Sequence, residues 1–295
     1  RFCDGHWFTQ IVVAAEPGSD VVIEGIGNVV IDAESEGSVV EVVGELGVLT
    51  IRDLDMTGGY AIRGGGIYAR TLDVVLENVE LRENEAEEYG GGIFIEEGNI
   101  ELRDSRISAN TSNGLFIGGG GVYLGMGALN AVGSSFTYNR AEGLFSSGGA
   151  LYTLAGDVHL AGTDLNHNSA FSNGGAIFLG SGAMVLDDAL LEENEAMTGG
   201  GAYVGGEVSM RGSLFRANKA TSSGGGLFMN GASTLFCDAP ASGSYGFLEN
   251  DADTKGGAVY VASMDFSSVV SDGCDWGSGV SDNTGGDLRM APFDA

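Results

Sequence analysis

Basic residues are scarce in this chain, which has 13 Lys and Arg against 41 Asp and Glu among 295 residues. The formal net charge is therefore −28. We predict that nucleic acid and anionic lipid are not partners, because a surface of this charge repels both. The same surface is compatible with solubility, with bound cations or with a salty exterior.

Proline and long apolar runs are also lacking. Only 3 prolines accompany 52 glycines, and the glycines follow no three-residue period, which excludes a collagen helix. No apolar stretch reaches the roughly 18 residues that a membrane-spanning helix needs, so we predict no transmembrane segment. Apolar residues nevertheless make up 43% of the chain, which is too much for a disordered protein.

The glycines are concentrated in a phrase that recurs nine times and continues into an apolar segment. The copies are GGGIYA at 64–69, GGGIFI at 90–95, GGGVYL at 119–124, GGALYT at 148–153, GGAIFL at 174–179, GGGAYV at 199–204, GGGLFM at 224–229, GGAVYV at 256–261 and GGDLRM at 285–290. Successive copies start 25 to 32 residues apart, a spacing typical of solenoid repeats. We interpret the glycines as a corner that needs positive φ or close backbone approach in every coil. A phosphate-binding loop is excluded because the copies lack the lysine and the following helix.

A second phrase accompanies the first and ends in asparagine. Its eight asparagines are Asn84, Asn110, Asn139, Asn168, Asn194, Asn218, Asn250 and Asn283. We predict that they form a structural column in which the amide of one coil bonds the amide of the next. We also expect asparagine to supply left-handed backbone at this corner, which it adopts at low cost.

Short alternating runs such as NIELRD and EVSMRG lie between the phrases and predict strands rather than helices. One coil cannot bury its own apolar face, whereas stacked coils can. We therefore predict an all-β, single-stranded parallel β-helix (a β-solenoid) of about ten or eleven coils in one domain, 1–295. Irregular first coils and an amino-terminal cap occupy 1–56, regular repeat coils occupy 57–290, and 291–295 form a tail.

The fifth place of the glycine phrase is aromatic in eight copies. These residues are Tyr68, Phe94, Tyr123, Tyr152, Phe178, Tyr203, Phe228 and Tyr260. Strand alternation places them on the face opposite the aliphatic fourth and sixth places. Two interpretations stay open. The rings form a ladder that only stabilises the coils or is turned inward, or they form an outer apolar strip that binds a partner or a glycan.

The paired phrases in FRANKATSSGGGLF and LNHNSAFSNGGAIF resemble the repeat of bacterial polymorphic outer membrane proteins, which joins a GGA-[ILV] phrase to an F-x-x-N phrase. The resemblance covers roughly residues 57 to 290. It implies a right-handed parallel β-helix, export from a Gram-negative bacterium, and adhesion or display at the cell surface.

A carbohydrate-active enzyme is the alternative, because many parallel β-helices are polysaccharide lyases or hydrolases. The candidate groups are Asp53, Asp55, Asp164, His159, His167, Asp187 and Asp188. Adjacent acids on a strand point to opposite faces, and the histidines lack a third ligand at a suitable spacing. A solvated polar face is the better explanation of these residues, so we assign no catalytic residue and no metal ligand. The longest repeat interval, around CDAPASGSYG at 237–246, offers the best loop for a local function.

Cofactor and disulfide predictions rest on composition and spacing. The acidic runs 83–88 and 249–255 could hold calcium through carboxylates, but solvated charge is the simpler interpretation, and we predict no cofactor. Cys237 and Cys274 lie one repeat apart, so stacked coils could join them in a disulfide, with buried free thiols as the alternative. Cys3 has no evident partner.

Taken together, the repeats predict a non-enzymatic extracellular or cell-surface protein that acts as an adhesin, scaffold or self-assembling subunit. Its expected partners are further copies of itself, another surface protein or a glycan. Because a charge of −28 opposes self-association until cations screen it, we expect association to strengthen with salt or calcium.

Overall fold

A computed structural model describes residues 1–231, 234–238, 245–262, 268–277 and 282–290. In this part of the chain every regular element is a β-strand and none is a helix. The strands form an all-β parallel solenoid of about nine turns, which confirms the fold class that the repeats predict. The expected ten or eleven coils are not confirmed.

Three stacks of strands, named sheets A, B and C, form the walls of the solenoid. Sheet A contains β1 (Phe2–Phe8), β3 (Val21–Asp32), β5 (Val48–Thr57), β8 (Asp73–Arg82), β11 (Ile100–Arg103), β12 (Arg106–Ser108), β15 (Leu129–Val132), β16 (Ser135–Thr137), β19 (Val158–Ala161), β20 (Asp164–Asn166), β23 (Ala183–Asp187), β24 (Leu190–Glu192), β27 (Glu207–Arg211), β28 (Leu214–Arg216), β31 (Thr234–Asp238), β32 (Gly246–Leu248) and β35 (Ser268–Asp272). Sheet B contains β2 (Ile11–Val13), β4 (Val40–Val42), β7 (Ile67–Thr71), β10 (Ile93–Glu97), β14 (Val122–Met126), β18 (Leu151–Ala155), β22 (Ile177–Leu179), β26 (Ala202–Val204), β30 (Leu227–Met229), β34 (Val259–Val261) and β36 (Leu288–Met290). Sheet C contains β6 (Tyr60–Arg63), β9 (Glu85–Tyr89), β13 (Thr111–Ser112), β17 (Arg140–Ala141), β21 (Ser169–Ala170), β25 (Glu195–Thr198), β29 (Lys219–Ser223) and β33 (Asp251–Ala252).

A single coil passes once through all three sheets. Strand β10 lies in sheet B, β11 and β12 lie in sheet A, and β13 lies in sheet C. The chain then returns to sheet B, where β14 pairs in parallel with β10 and aligns Val122 with Ile93. Neighbouring strands in such a stack are about 4.8 Å apart, so equivalent residues of successive coils are in contact.

Alternation along the strands builds the core. In β27, Val208 and Met210 are buried while the residues between and beside them are exposed. The inward side chains of successive coils join in one continuous hydrophobic cluster that extends from Val13 to Val261. Because the stacked walls share this interior, each coil buries apolar surface that it could not bury alone.

The glycine phrase forms the corner before nine of the eleven strands of sheet B, from β7 to β36. Gly119, the first glycine of its phrase, has φ +73°, a left-handed conformation that residues with a Cβ rarely adopt. The second glycine, Gly120, packs so closely on the neighbouring coils that a Cβ there would overlap the carbonyl oxygens of Arg140 and Gly149. The phrase therefore combines one conformational requirement with one steric requirement.

At seven of the eight positions of the asparagine column, the residue that precedes the asparagine has the left-handed backbone. Ala109, Tyr138 and His167 have φ of 52°, 58° and 56°, whereas none of the eight asparagines has positive φ. The expectation that asparagine itself supplies the left-handed backbone is therefore wrong. The preceding residue makes the turn, and the turn directs the asparagine amide into the coil, where it reaches its neighbours.

The amino-terminal segment belongs to the solenoid wall. Strand β1, which contains His6 and Trp7, pairs in parallel with β3 along one edge. The predicted tail at 291–295 and most of the loop expected to carry a local function, 239–244, lie outside the described residues.

In the described part of the chain, no helix is long and apolar enough to cross a membrane.

Candidate functional site

The aromatic column lies on the outer face of sheet B, away from the aliphatic core. Its rings stack along the whole column, from Tyr68 to Tyr260, with successive centroids 4.7 to 5.6 Å apart. Adjacent strands hold the rings in register, as where Tyr123 aligns with Tyr152. The column is therefore a stack built on the outside of the wall.

Little of this column is free to bind a partner. Phe94, Tyr123 and Tyr152 are only 3%, 9% and 8% exposed, and Tyr89 and Ile117 pack against them. Ring faces point along the stack towards one another, so the rings present their edges to solvent. A sugar that stacks on an aromatic residue needs a free ring face, so this geometry does not suit a glycan-binding strip.

Burial changes the chemistry of the middle rings. It raises the pKa of Tyr152 to about 12, because the phenolate would lose its hydration, and the nearby Tyr123 and Tyr89 act in the same direction. Two rings before Tyr152 in the column, the guanidinium of Arg63 lies 5.5 Å from the ring centroid of Phe94, and it lies 5.3 Å from that of Tyr89, both within cation–π distance.

The asparagine column lies inside the coils, and its amides are fully hydrogen-bonded. The Nδ2 of Asn139 donates to Asn168 Oδ1 at 3.0 Å and to the backbone carbonyl of Ile107 at 2.9 Å. Its backbone N–H donates to the same Asn168 oxygen at 3.0 Å. The same pattern links all eight asparagines, which are 0–6% exposed. This column holds coils together and leaves no group for a ligand.

His159, His167 and Asp187 each lie beside a side chain of an adjacent coil. The Nε2 of His159 lies 3.1 Å from Asp187 Oδ2, and the Nδ1 of His167 lies 3.0 Å from Glu193 Oε2. His167 also stacks on Tyr138, with ring centroids 4.8 Å apart. These pairs are exposed and join coils.

A second group of candidate acids lies at a groove near the first coils. The groove encloses about 430 Å³ and is lined by Asp53, Asp55 and Asn78 together with Gly25, Gly27 and Asn28 among others. Asn78 donates to Asp53 at 2.9 Å. Burial and the nearby Glu80 raise the pKa of Asp55 above its usual value, which Arg82 partly offsets.

Among the described residues, no group of three His, Cys, Asp or Glu side chains is placed to hold a metal ion. In the acidic run 83–88, Glu85 accepts from Asn113 at 2.7 Å and Glu88 from Arg63 at 2.7 Å. These carboxylates already have partners in neighbouring coils, so the run is a set of inter-coil contacts.

The sulfur atoms of Cys237 and Cys274 are joined in a disulfide, with the two Cα atoms 6.1 Å apart. Of the two interpretations left open by the spacing, the structure has the bonded one. Cys3 is a free, exposed cysteine.

The sequence interpretation missed one exposed feature. Two consecutive repeat intervals each contain a Gly-Leu-Phe segment, and the structure places Leu115, Phe116, Leu144 and Phe145 side by side in the solvent, 55–70% exposed. We call these four residues the Leu-Phe knuckle. The signal for it was the 29-residue interval that both repeats share, where the intervals on either side have 26.

No protein-family model, no curated protein and no solved structure matches the chain.

Proposed function

We propose that this chain is a non-enzymatic, right-handed β-helix displayed outside the cell or on its surface, where it acts as an adhesin or scaffold. One observation carries the proposal. The side chains that recur from coil to coil, the asparagine amides and the aromatic rings, are engaged in contacts between coils. The recurring side chains of the repeat thus build a continuous stacked wall.

Handedness and location rest on separate arguments. Connections between parallel strands of one sheet are right-handed in about 98% of cases, which supports a right-handed coil. The eleven strands of sheet B support the ten or eleven coils that the repeats predict. The disulfide between Cys237 and Cys274 supports export, because disulfides persist in oxidising compartments. The likeness to polymorphic outer membrane protein repeats supports the surface of a Gram-negative bacterium.

Another surface protein is the partner that we favour. Stacking of the aromatic rings disfavours a glycan on sheet B, and the net charge of −28 disfavours a second copy at low salt. Self-association is the second candidate, and it would strengthen as salt or calcium screens the charge.

Antibody labelling of intact source cells tests the proposal. We expect labelling without permeabilisation, and we expect external protease to remove it. Labelling that appears only after permeabilisation would contradict surface display.

A carbohydrate-active enzyme remains the alternative because of the groove at Asp55. Strand register places Asp55 beside Glu80 of the next coil, so two carboxyl groups face solvent together, and the pKa of Asp55 is raised, as a general acid requires. The test is incubation with a panel of acidic and neutral polysaccharides, with and without calcium. Release of unsaturated or reducing ends that Asp55→Asn abolishes would establish the enzyme and overturn the proposal of a non-enzymatic scaffold.

A further inference from the structure

The knuckle arises from an insertion at one place in two adjacent coils. From the ladder asparagine to the glycine phrase the chain takes six steps in 84–90 and 168–174. It takes nine steps in 110–119 and 139–148, and both longer stretches contain Gly-Leu-Phe. The same three residue types therefore lie at equivalent positions of neighbouring coils, where stacking brings them together.

The knuckle is an ordered part of the solenoid. The rings of Phe116 and Phe145 are parallel within 4°, with centroids 5.6 Å apart, and the N–H of Phe145 donates to the carbonyl of Leu115 at 2.8 Å. The hydroxyl of Ser146 closes the second loop by donating to the Gly143 carbonyl at 2.7 Å. A Cβ on Gly143 would overlap the carbonyl oxygen of Gly114, so this glycine is required for the two loops to stack.

Exposed apolar side chains also occur on the next two coils, beside Glu142, which directly precedes the second knuckle loop. Phe171 and Met197 are 52% and 44% exposed and line a groove of about 500 Å³ on sheet C. Arg140 and Glu195 line the same groove, which gives it charged as well as apolar walls. The fold does not bury these apolar side chains, although each would gain free energy by leaving water.

The charges around the knuckle indicate what covers it. Glu142 directly precedes the second Gly-Leu-Phe segment, and Glu85 bonds Asn113 at the start of the first loop. The Nε of Arg140 lies 3.4 Å from Glu142 Oε1, so the positive charge of Arg140 is already partly compensated. A second copy would bring the same carboxylates and a further charge of −28, and an anionic lipid surface would also be repelled.

We infer that the Leu-Phe knuckle and the adjacent groove bind a protein segment in which apolar side chains are flanked by lysine or arginine. The apolar side chains would cover the exposed rings, while the basic flanks would pair with Glu142 and Glu195. This inference rests on the proposed function as an adhesin or scaffold and gives it a contact surface and a class of partner.

Three labelled peptides and fluorescence anisotropy test the inference on the whole chain. The first, KKLFVKK, combines apolar and basic residues, EELFVEE reverses the charge, and KKSGSKK removes the apolar residues. We expect saturable binding of KKLFVKK alone, weakened by salt. The double variant Phe116→Ser with Phe145→Ser should lose affinity by roughly tenfold or more, because both exposed rings are removed.

A matched control is available in the strands that follow the two loops. Met126 and Leu154 are each 50% exposed, so Met126→Ser with Leu154→Ser removes similar apolar surface elsewhere. It should leave binding unchanged. Thermal melts of both double variants should match the native chain, since all four side chains are exposed.

Several results would overturn the inference. These are no binding of KKLFVKK, equal binding of either other peptide, or equal binding by the Phe116→Ser, Phe145→Ser variant. Light scattering provides one more outcome. Self-association that this variant abolishes would identify the occupant as a second copy. Failure here leaves the cell-labelling result untouched, so the two proposals fail separately.

Discussion

Each asparagine of the inner column makes hydrogen bonds towards both ends of the solenoid. Asn168 accepts from two donors of Asn139, and its own Nδ2 donates to Asn194 Oδ1 at 3.0 Å and to the Phe136 carbonyl at 2.9 Å. A buried amide is costly only when it lacks partners. With every donor and acceptor bonded, the column adds directional contacts to a core that is otherwise aliphatic.

We predict that Asn168→Leu lowers the free energy of unfolding by roughly 2 to 4 kcal/mol, because it leaves buried donors of Asn139 and the Phe136 carbonyl without partners. Asn130→Leu is the matched control, since Asn130 is exposed on a strand of the same wall. Urea denaturation measures both. Equal stability of the two variants would show that the column contributes no more than a surface position.

Tyr152 gives a prediction about high pH. Its pKa is raised to about 12 by burial, against about 10 for an unperturbed tyrosine. The folded state therefore keeps the proton longer than the unfolded state does. The protonated Tyr152 therefore contributes to the free energy of unfolding. This contribution is fully present below about pH 10 and is lost as the pH rises towards 12.

Near-ultraviolet absorbance titration detects the phenolate directly. The folded chain should show one tyrosine ionising at higher pH than an unperturbed tyrosine, and Tyr152→Phe should remove this transition. In urea, where the chain is unfolded, Tyr152 should ionise at the same pH as the other tyrosines. A titration curve that Tyr152→Phe leaves unchanged at its upper end would contradict the assignment.

Glycine is needed in the coils for two distinct reasons. Gly120, at the corner before β14, is required because neighbouring backbone leaves no room for a Cβ, whereas Gly162, with φ +53° between β19 and β20 of sheet A, would meet no atom within 4 Å if it carried a Cβ. We predict that Gly162→Ala costs about 1 kcal/mol, the penalty for left-handed backbone in alanine. Gly120→Ala should cost more, about 3 kcal/mol or above, since two coils must separate. Guanidinium melts of the two variants compare conformational strain with steric overlap.

The period of the sequence predicted the strands and their register between coils well. Parallel stacking repeats the same contacts in every coil, so phrases such as GGGVYL and GGALYT mark aligned strands, and Val122 indeed aligns with Leu151. Alternation also predicted that the aromatic residues lie opposite the aliphatic ones. These properties follow from a period of two along a strand and from one register between coils.

Features that do not repeat could not be predicted from the period of the sequence. Tyr89, at the end of β9, and Ile117, in the loop after β13, cover the middle of the aromatic column, and neither position recurs as an apolar or aromatic residue in every coil. The knuckle was visible as a longer interval, but the length alone does not show that Phe116 and Phe145 stack in solvent. The left-handed residue before seven of the asparagines varies among Ala, Tyr, His and Glu, so its identity carries no turn signal.

For the whole molecule, stability is close to a sum of coil terms and neighbour terms, because each coil contacts only the next. The disulfide between Cys237 and Cys274 acts on the carboxyl-terminal coils alone. It closes a span of 37 residues, which corresponds to about 4 kcal/mol of loop-closure entropy in the unfolded state.

We therefore predict local rather than global loosening when Cys237→Ala and Cys274→Ala are combined. Hydrogen exchange should accelerate in β31 and β32 and stay unchanged in β14 and β18. Cys3→Ala, which removes the exposed free thiol, should change neither region. Uniform acceleration along the chain would show that the solenoid unfolds as one cooperative unit.

Every asparagine of the inner column offers its neighbours the same donor and acceptor atoms. The column therefore does not determine which coil stacks on which. Deletion of Ser169–Asn194 would bring Asn168 against Asn218 with donors and acceptors still matched. A slip of one residue, by contrast, would turn every core side chain into the solvent. The chain can thus gain or lose whole coils, by duplication or deletion of a repeat, whereas a smaller change keeps the register only where it falls in a loop, as the three extra residues of each knuckle loop do. The knuckle and the disulfide, which each need two particular coils, are the features that such changes would disturb.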